Sequence, residues 1–334
     1  MNHYETLVQV AKWYYLDGLM QAEIAKKIKK SRSMVSKLIA EARNQGIVEI
    51  RIAYPLDRDR ALEDRIREHL MLDAVRVVQS LPSEDLNRVV LAKTAAEFLA
   101  AQLRDRMILG LAWSRTVKSV VDEFSGQTLR DAIVVQLSGS AGSEDPGTSG
   151  IETIREMAQK LKAAQWYFPA PLVVRSPDAA QVLVNEPAVQ QSIAYAKSCD
   201  LAVVGVGSVD RQRNSLVASK LISAGELQEF TRLGSVGDIL AHQLNVEGSK
   251  LDHDFNRRVI GLDIDELVGI PRVIAVAAGG HKAPAIRAAS AGAYITDLVT
   301  DTDTAAALLD LAAVTDKDAN DRSARARVRA GGGI

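Results

Sequence analysis

The chain has 334 residues, of which 47% are apolar and 25% charged, with a formal net charge of −1. That length and composition predict two to three domains with a sizeable core, and they exclude a disordered or fibrous chain. No run of about 18 apolar residues occurs and the N-terminus lacks a signal-like apolar stretch, so a membrane partner is not expected.

Gln21–Ile28 predicts a short helix with Ile24, Ala25 and Ile28 on one face. Ala25 is small enough for a second helix to cross closely. Lys29-Lys30 forms the turn, a place where such units more often carry a glycine and an apolar residue. Ser31 is suited to cap a helix running from Arg32 to Asn44, with Val35, Leu38, Ile39 and Ala42 as its buried stripe. Gly46 is suited to a left-handed stop, and Ile47–Ile52 alternates like a strand. The pattern is that of a winged-helix-like helix-turn-helix. In such units the start of the second helix meets base edges and the first helix crosses the DNA backbone. The candidate DNA-binding residues are Gln21, Ser31, Arg32, Ser33, Ser36, Lys37 and Arg43.

Charge distribution agrees. Residues 1–54 hold nine Lys/Arg against five Asp/Glu, a net of +4, whereas residues 55–316 carry −8. A basic head on an acidic body concentrates phosphate affinity at one end. Residues 316–334 hold only Val328 and Ile334 as larger apolar residues and carry Gly331-Gly332-Gly333 near their end, as expected of a disordered tail.

Pro55 ends the head, and the segment 55–72 is a charged connector helix with Leu62, Ile66 and Leu70 repeating every four residues. That stripe suits either self-association or packing on the body. The body, residues 73–315, alternates strands with amphipathic helices. The expected strands are Val75–Gln79, Met107–Leu111, Ile133–Leu137, Leu172–Val174, Leu201–Val204, Arg258–Leu262, Arg272–Val276 and Tyr294–Leu298. Such alternation predicts a mainly parallel, Rossmann-like α/β sheet that binds ligands beyond the carboxyl ends of its strands.

Four loops rich in small and hydroxyl residues follow these strands: Ala112–Thr116, Ser138–Gly142, Gly205–Ser208 and Ala277–Lys282. Exposed amides at helix starts hold phosphate or hydroxyl oxygens, and Lys282 adds a full charge beside Gly279-Gly280. None of these loops is a dinucleotide or P-loop fingerprint. Five scattered histidines at 3, 69, 242, 253 and 281 give no metal-ligand spacing, so neither a metal nor a cofactor is expected. Cys199, the only cysteine, reads as a buried structural thiol in a reducing cytoplasm. Lys282 as a solvated charge, Asp238 as a helix cap, Trp113 as core and Arg115 in a structural ion pair are the plain alternatives. Asp301 with its threonine neighbours is expected to cap the last helix.

The chain resembles the SorC/DeoR-type sugar-binding transcriptional regulators of bacteria. The matching stretches are the head at 14–52, GLAWSRTV at 110–117, LSGSAG at 137–142, FPAPLVV at 168–174, DLAVVGVGSV at 200–209, GDIL at 237–240, and the long segment at 274–309 opening IAVAAGGHKAPAI. The resemblance implies an effector domain related to sugar-phosphate isomerase and CoA-transferase folds. It implies operator DNA as partner and a dimer or tetramer; enzyme activity is not expected, since no close carboxylate pair or nucleophile–base spacing stands out. The effector residues it implies are Ser114, Thr116, Gly139, Ser140, Gly205, Gly207, Asp238 and Lys282, with Asp238 taking sugar hydroxyls and Lys282 a phosphate. Two departures, the AWSRT wording of the first loop and the acidic pair Glu144-Asp145, leave an uncharged sugar or polyol open beside a sugar phosphate. The function expected is a cytoplasmic repressor of carbohydrate genes; the alternative is an isomerase-like enzyme carrying a DNA-binding head.

Overall fold

The computed structural model describes residues 2–48, 56–142 and 150–311. The chain forms two compact units, Met1–Pro55 and Leu56–Ile334. The predicted wing strand lies largely, and the Glu144-Asp145 pair and the C-terminal tail wholly, outside the described residues.

The smaller unit is built from α1 (His3–Tyr15), α2 (Gln21–Ile28) and α3 (Arg32–Asn44). Leu7 and Val10 of α1, Ile24 of α2, and Val35 and Ala42 of α3 are fully buried in one core. Both predicted helices of the motif have the expected bounds, because their caps are written locally. The Glu23 carboxylate accepts the Met20 N–H at 2.8 Å, and the Ser31 hydroxyl accepts the Met34 N–H at 3.2 Å. Lys29 ends α2 at φ 54, in the left-handed region, which is the reason a glycine suits that position. Gly46 takes φ 71 after α3.

The larger unit opens with α4 (Arg60–Leu70), β1 (Ala74–Val78), α5 (Glu84–Gln102), β2 (Ile108–Leu111), α6 (Arg115–Glu123), β3 (Ile133–Gln136), α7 (Gly150–Leu161) and β4 (Ala164–Trp166). It continues through α8 (Pro177–Val184), α9 (Pro187–Lys197), β5 (Leu201–Gly205), α10 (Ser215–Ala218), α11 (Ala224–Arg232), β6 (Ser235–Ile239) and β7 (His242–Asn245). It closes with α12 (Asp254–Arg257), β8 (Arg272–Val276), α13 (Ala283–Ala291) and β9 (Asp297–Asp301), followed by helical residues 302–311. Seven strands form one sheet in the order β1-β9-β8-β5-β2-β3-β4, and every pairing is parallel. Strands β2, β3 and β4 run outward on one side, and β5, β8 and β9 on the other. The winding therefore reverses between β2 and β5, where such sheets open a crevice.

The connector segment becomes α4, whose Ile66 and Leu70 are buried in the larger unit's core with Leu62 packed alongside. Burying a side chain such as Ile66 stabilises by about 1.5–3 kcal/mol. Glu63 is buried on the same face, where it accepts from Arg58 Nε at 2.6 Å and from the Val77 N–H at 3.0 Å. That satisfies a charge which would otherwise be costly to bury.

Three strand expectations need correction. Leu172–Val174 and Arg258–Leu262 make only isolated bridges, Val173 to Val259 and Gly261 to Ser138, and neither joins the seven-stranded sheet. The last strand starts at Asp297 rather than Tyr294, since Tyr294 and Ile295 pack into the core before β9 begins. The antiparallel pair β6–β7 was not expected, and it places Asp238 in a strand and not at the start of a helix.

Candidate effector cavity and DNA-facing helix

A cavity of about 630 Å³ opens where the winding reverses. Its walls come from the loops after β1, β2, β5, β8 and β9, together with the β6–β7 turn. Of the eight effector residues expected from sequence, six line it: Ser114, Thr116, Gly205, Gly207, Asp238 and Lys282.

Local structure explains how they meet. Ser114 caps α6 by accepting the Thr116 N–H at 3.1 Å. A β-carbon on Gly205 would overlap the Ser114 hydroxyl, so the glycine lets that cap lie against β5. Gly207 donates its N–H to the Asp238 carbonyl at 2.8 Å, tying the β5 loop to β6. Gly279 adopts φ 102, open to glycine but costly for other residues, and its carbonyl accepts the Lys282 N–H at 2.9 Å.

The electrostatics centre on Asp238 and Lys282. Both are half-buried and reach the same cavity, yet they form no ion pair with each other or with any other described residue. Burial pushes the Asp238 carboxyl up to about 6, while Lys282 and the Ala241 amide pull it back. Burial lowers the Lys282 ammonium to about 8; Arg115 pushes the same way, and Asp238 and Asp301 oppose. An unpaired acid and an unpaired base across a cavity can accept a hydroxyl proton and hold an anion, respectively.

Gly139 and Ser140 are not brought to this cavity. The Gly139 N–H donates to the Ile260 carbonyl at 2.9 Å and the Ser140 N–H to the Ala170 carbonyl at 2.9 Å. A β-carbon on Gly139 would overlap the Pro171 carbonyl. Their amides are spent in stitching the β3 loop to its neighbours, so the expectation of free donors there is corrected.

Three plain alternatives also resolve. Asp238 caps no helix. Arg115 makes no ion pair among the described residues and stands exposed at the cavity. Trp113 both packs on a buried apolar cluster and lines the cavity. Asp301 caps the last helix, accepting the Thr304 N–H at 3.0 Å, and also takes the Asn87 amide at 2.6 Å. Cys199 is buried, with its thiol pushed up to about 12, which keeps it protonated and inert.

Sequence reasoning missed the rim. Arg213 bridges Glu84 at 2.7 Å and Asp210 at 3.1 Å, joining the start of α5 to the β5 loop. His281 carries a buried Nε2 without a hydrogen-bond partner among the described residues, and burial, Lys282 and Arg213 lower its pKa. The loop after β1 contains no glycine, so it went unread. The rule that every carboxyl end of a parallel sheet faces the crevice would have included it.

In the smaller unit, Ser31, Arg32, Ser33, Ser36, Lys37 and Arg43 are exposed, and Gln21 is half-buried at the start of α2. Arg32, Lys37 and Arg43 make no ion pair among the described residues, which leaves three cations on α3 without carboxylate partners. The other side of α3 is core. A polar, basic helix face starting at a capped N-terminus can contact phosphates and base edges.

Comparison with known proteins places this geometry among regulators. The family model for a sugar-binding domain matches residues 54–310. The transcriptional regulator LsrR of Enterobacter sp. (strain 638) is 33% identical over 311 residues, covering 92% of this chain and 94% of that protein. LsrR of Escherichia coli (strain K12) is 33% identical over 308 residues, covering 91% and 94%. The full-length sorbitol operon regulator SorC from Klebsiella pneumoniae superposes with a TM-score of 0.70 at 26% identity, covering 91% of this chain and 98% of that chain. A DeoR family transcriptional regulator from Listeria monocytogenes gives a TM-score of 0.69 at 25% identity, covering 74% and 98%.

Proposed function

The chain belongs to the SorC/DeoR-type family of sugar-binding transcriptional regulators, and from that premise we propose that it represses carbohydrate genes under the control of a sugar-derived effector held in the cavity between β2 and β5. The single observation that carries this reading is the unpaired Asp238 and Lys282 sharing one cavity at the sheet's switch point. Asp238 accepts effector hydroxyls. Lys282 and the hydroxyls of Ser114 and Thr116 take a phosphate or another anion, and Gly205 and Gly207 keep the walls close. Residues 1–54 act as the DNA-binding domain through α3, with Gln21 at the start of α2 on the backbone. Residues 73–315 act as the effector domain, and the segment 55–72 belongs with it through the packing of α4.

Repression works by linkage in a homo-oligomer. An effector that prefers one arrangement of paired heads over another shifts their spacing, and half-sites about one DNA turn apart then no longer match. Coupling of about 1–3 kcal/mol changes operator affinity about 5–150-fold. The alternative of an isomerase-like enzyme is not favoured, since the matched relatives and solved structures are regulators. Among the described residues no helix is long and apolar enough to cross a membrane.

A thermal-shift screen of the full chain against sugars, polyols and their phosphates tests the effector half. A ligand at about one hundred times its Kd stabilises by about 2.7 kcal/mol. Hits confined to phosphates support the Lys282 cradle. Hits on free polyols assign the site to Asp238 alone, and a blank screen removes the effector reading.

A further inference from the structure

The cavity floor holds a lysine without an acceptor. Lys282, half-buried in the loop after β8, forms no side-chain hydrogen bond or ion pair with the described residues. A half-buried ammonium in that position loses water and gains no partner, so burial moves its equilibrium toward the neutral form and an arriving anion moves it back. We propose that effector binding is proton-linked through Lys282, so that an anionic effector enters with uptake of a proton there in mildly alkaline solution. This rests on the assignment of the cavity as the effector site.

The groups facing Lys282 are few and settle the sign. Asp238 comes from β6, Arg115 from the start of α6, Asp301 from the end of β9, and His281 precedes it in the same turn. At the rim, Glu84 and Asp210 are occupied by Arg213, and Arg88 by Asp85. Lys282 and Arg115 thus face two carboxylates, Asp238 and Asp301, and burial brings Lys282 to about 8. A phosphate placed beside it favours the ammonium. Below the free value the proton is already bound and affinity is flat. Above it, each complex must first acquire a proton, and affinity falls until the raised value in the complex is reached. From about pH 7 to about pH 9 the loss is about tenfold. A sugar phosphate has its second ionisation near 6, so it stays dianionic across that window and the change belongs to the protein.

The test uses the full chain with ribose 5-phosphate, fructose 6-phosphate and glucitol 6-phosphate as probes. Binding is followed by calorimetry at about pH 7, 8 and 9, in two buffers of different ionisation enthalpy. The expected result is an affinity that falls about tenfold across the range, with close to one proton taken up per ligand at the alkaline end. Lys282→Arg carries a charge that does not titrate here and should flatten the profile. Asp238→Asn removes the favourable neighbour and should move the fall to lower pH, which keeps the test alive if the arginine does not fit. Tight binding with a flat profile and no proton uptake in the unmodified chain overturns the linkage and leaves the effector site standing. Failure of all three probes to bind at neutral pH overturns the linkage, while the site itself stands or falls on the screen that includes free sugars and polyols.

Discussion

The Asp238 carboxylate lies directly against Gly207: a β-carbon on that glycine would come within 2.7 Å of Asp238 Cγ and closer still to its Oδ1. The two backbones meet as well, with the Gly207 N–H on the Asp238 carbonyl at 2.8 Å. Glycine here sets where the acid of the cavity can stand. Gly207→Ala should displace Asp238 and weaken effector binding by about 1.5–3 kcal/mol, the worth of a hydrogen bond to a charged group. DNA binding by the same variant should be unchanged. Calorimetry with a responsive sugar phosphate and a gel-shift titration read the two separately, and full effector affinity would show that Asp238 does not touch the ligand.

Arg32 and Lys37 stand on the exposed side of α3 without carboxylate partners. Arg32→Ala or Lys37→Ala should cost about 1–3 kcal/mol in affinity for a duplex selected by this protein from a randomised pool. If the contact is to phosphate, the salt slope should also shrink by about one ion. Effector binding should stay intact in both. Unchanged affinity and slope in both variants would remove α3 as the reading helix.

Two of the three helices of the smaller unit, α2 and α3, were legible because their signals are local: an apolar face, a capping serine and a glycine stop; α1 was not read. The sheet was legible for the same kind of reason, since apolar runs such as Leu201–Val204 are bounded by small residues. The β6–β7 pair was not. Its link, Leu240-Ala241, carries none of the Asn or Gly that marks a two-residue turn, so GDIL read as a helix start. Gly139 was misjudged for a related reason. The partners that consume the amides of its loop, the Ala170 and Ile260 carbonyls, lie about thirty and one hundred and twenty residues away in sequence, and only the fold brings them together. Asp238 and Lys282, by contrast, were both assigned to the site, though the strand that carries Asp238 was not foreseen.

That turn is itself strained. Leu240 and Ala241 adopt φ of 49 and 68, both left-handed, and link paired residues Ile239 and His242. For residues with a β-carbon this costs about 1–2 kcal/mol each. Ala241→Gly relieves one of the two and loses a buried methyl worth about 0.8 kcal/mol, so stability should hold or rise by up to about 1 kcal/mol. Ala241→Val should lose stability, since a branched side chain is worst in that region. Urea midpoints compare them, and a clear loss in the glycine variant would show that the turn stores no strain.

His242 supplies an acid-sensitive element on the other strand of the same hairpin. It is 3% exposed, its Nδ1 has no hydrogen-bond partner among the described residues, and burial lowers its pKa to about 4. The folded value lies below the unfolded one, so the unfolded chain binds the extra proton. The stabilising contribution is therefore complete above about pH 6.5 and is lost as pH falls toward about 4. The full span corresponds to roughly 3 kcal/mol at about 1.4 kcal/mol per unit. Asp238 and Asp297, both raised by burial, work in the opposite direction over acidic pH, so the unmodified chain alone does not isolate the histidine. His242→Gln does, because it keeps a polar group of similar size that cannot titrate. The stability difference between the chain and this variant, taken from urea unfolding at about pH 7 and about pH 4.5, should shift against the unmodified chain by about 2–3 kcal/mol on acidification. A difference that does not change with pH would mean that His242 is protonated as easily folded as unfolded, and that the pocket around Nδ1 already admits a compensating partner.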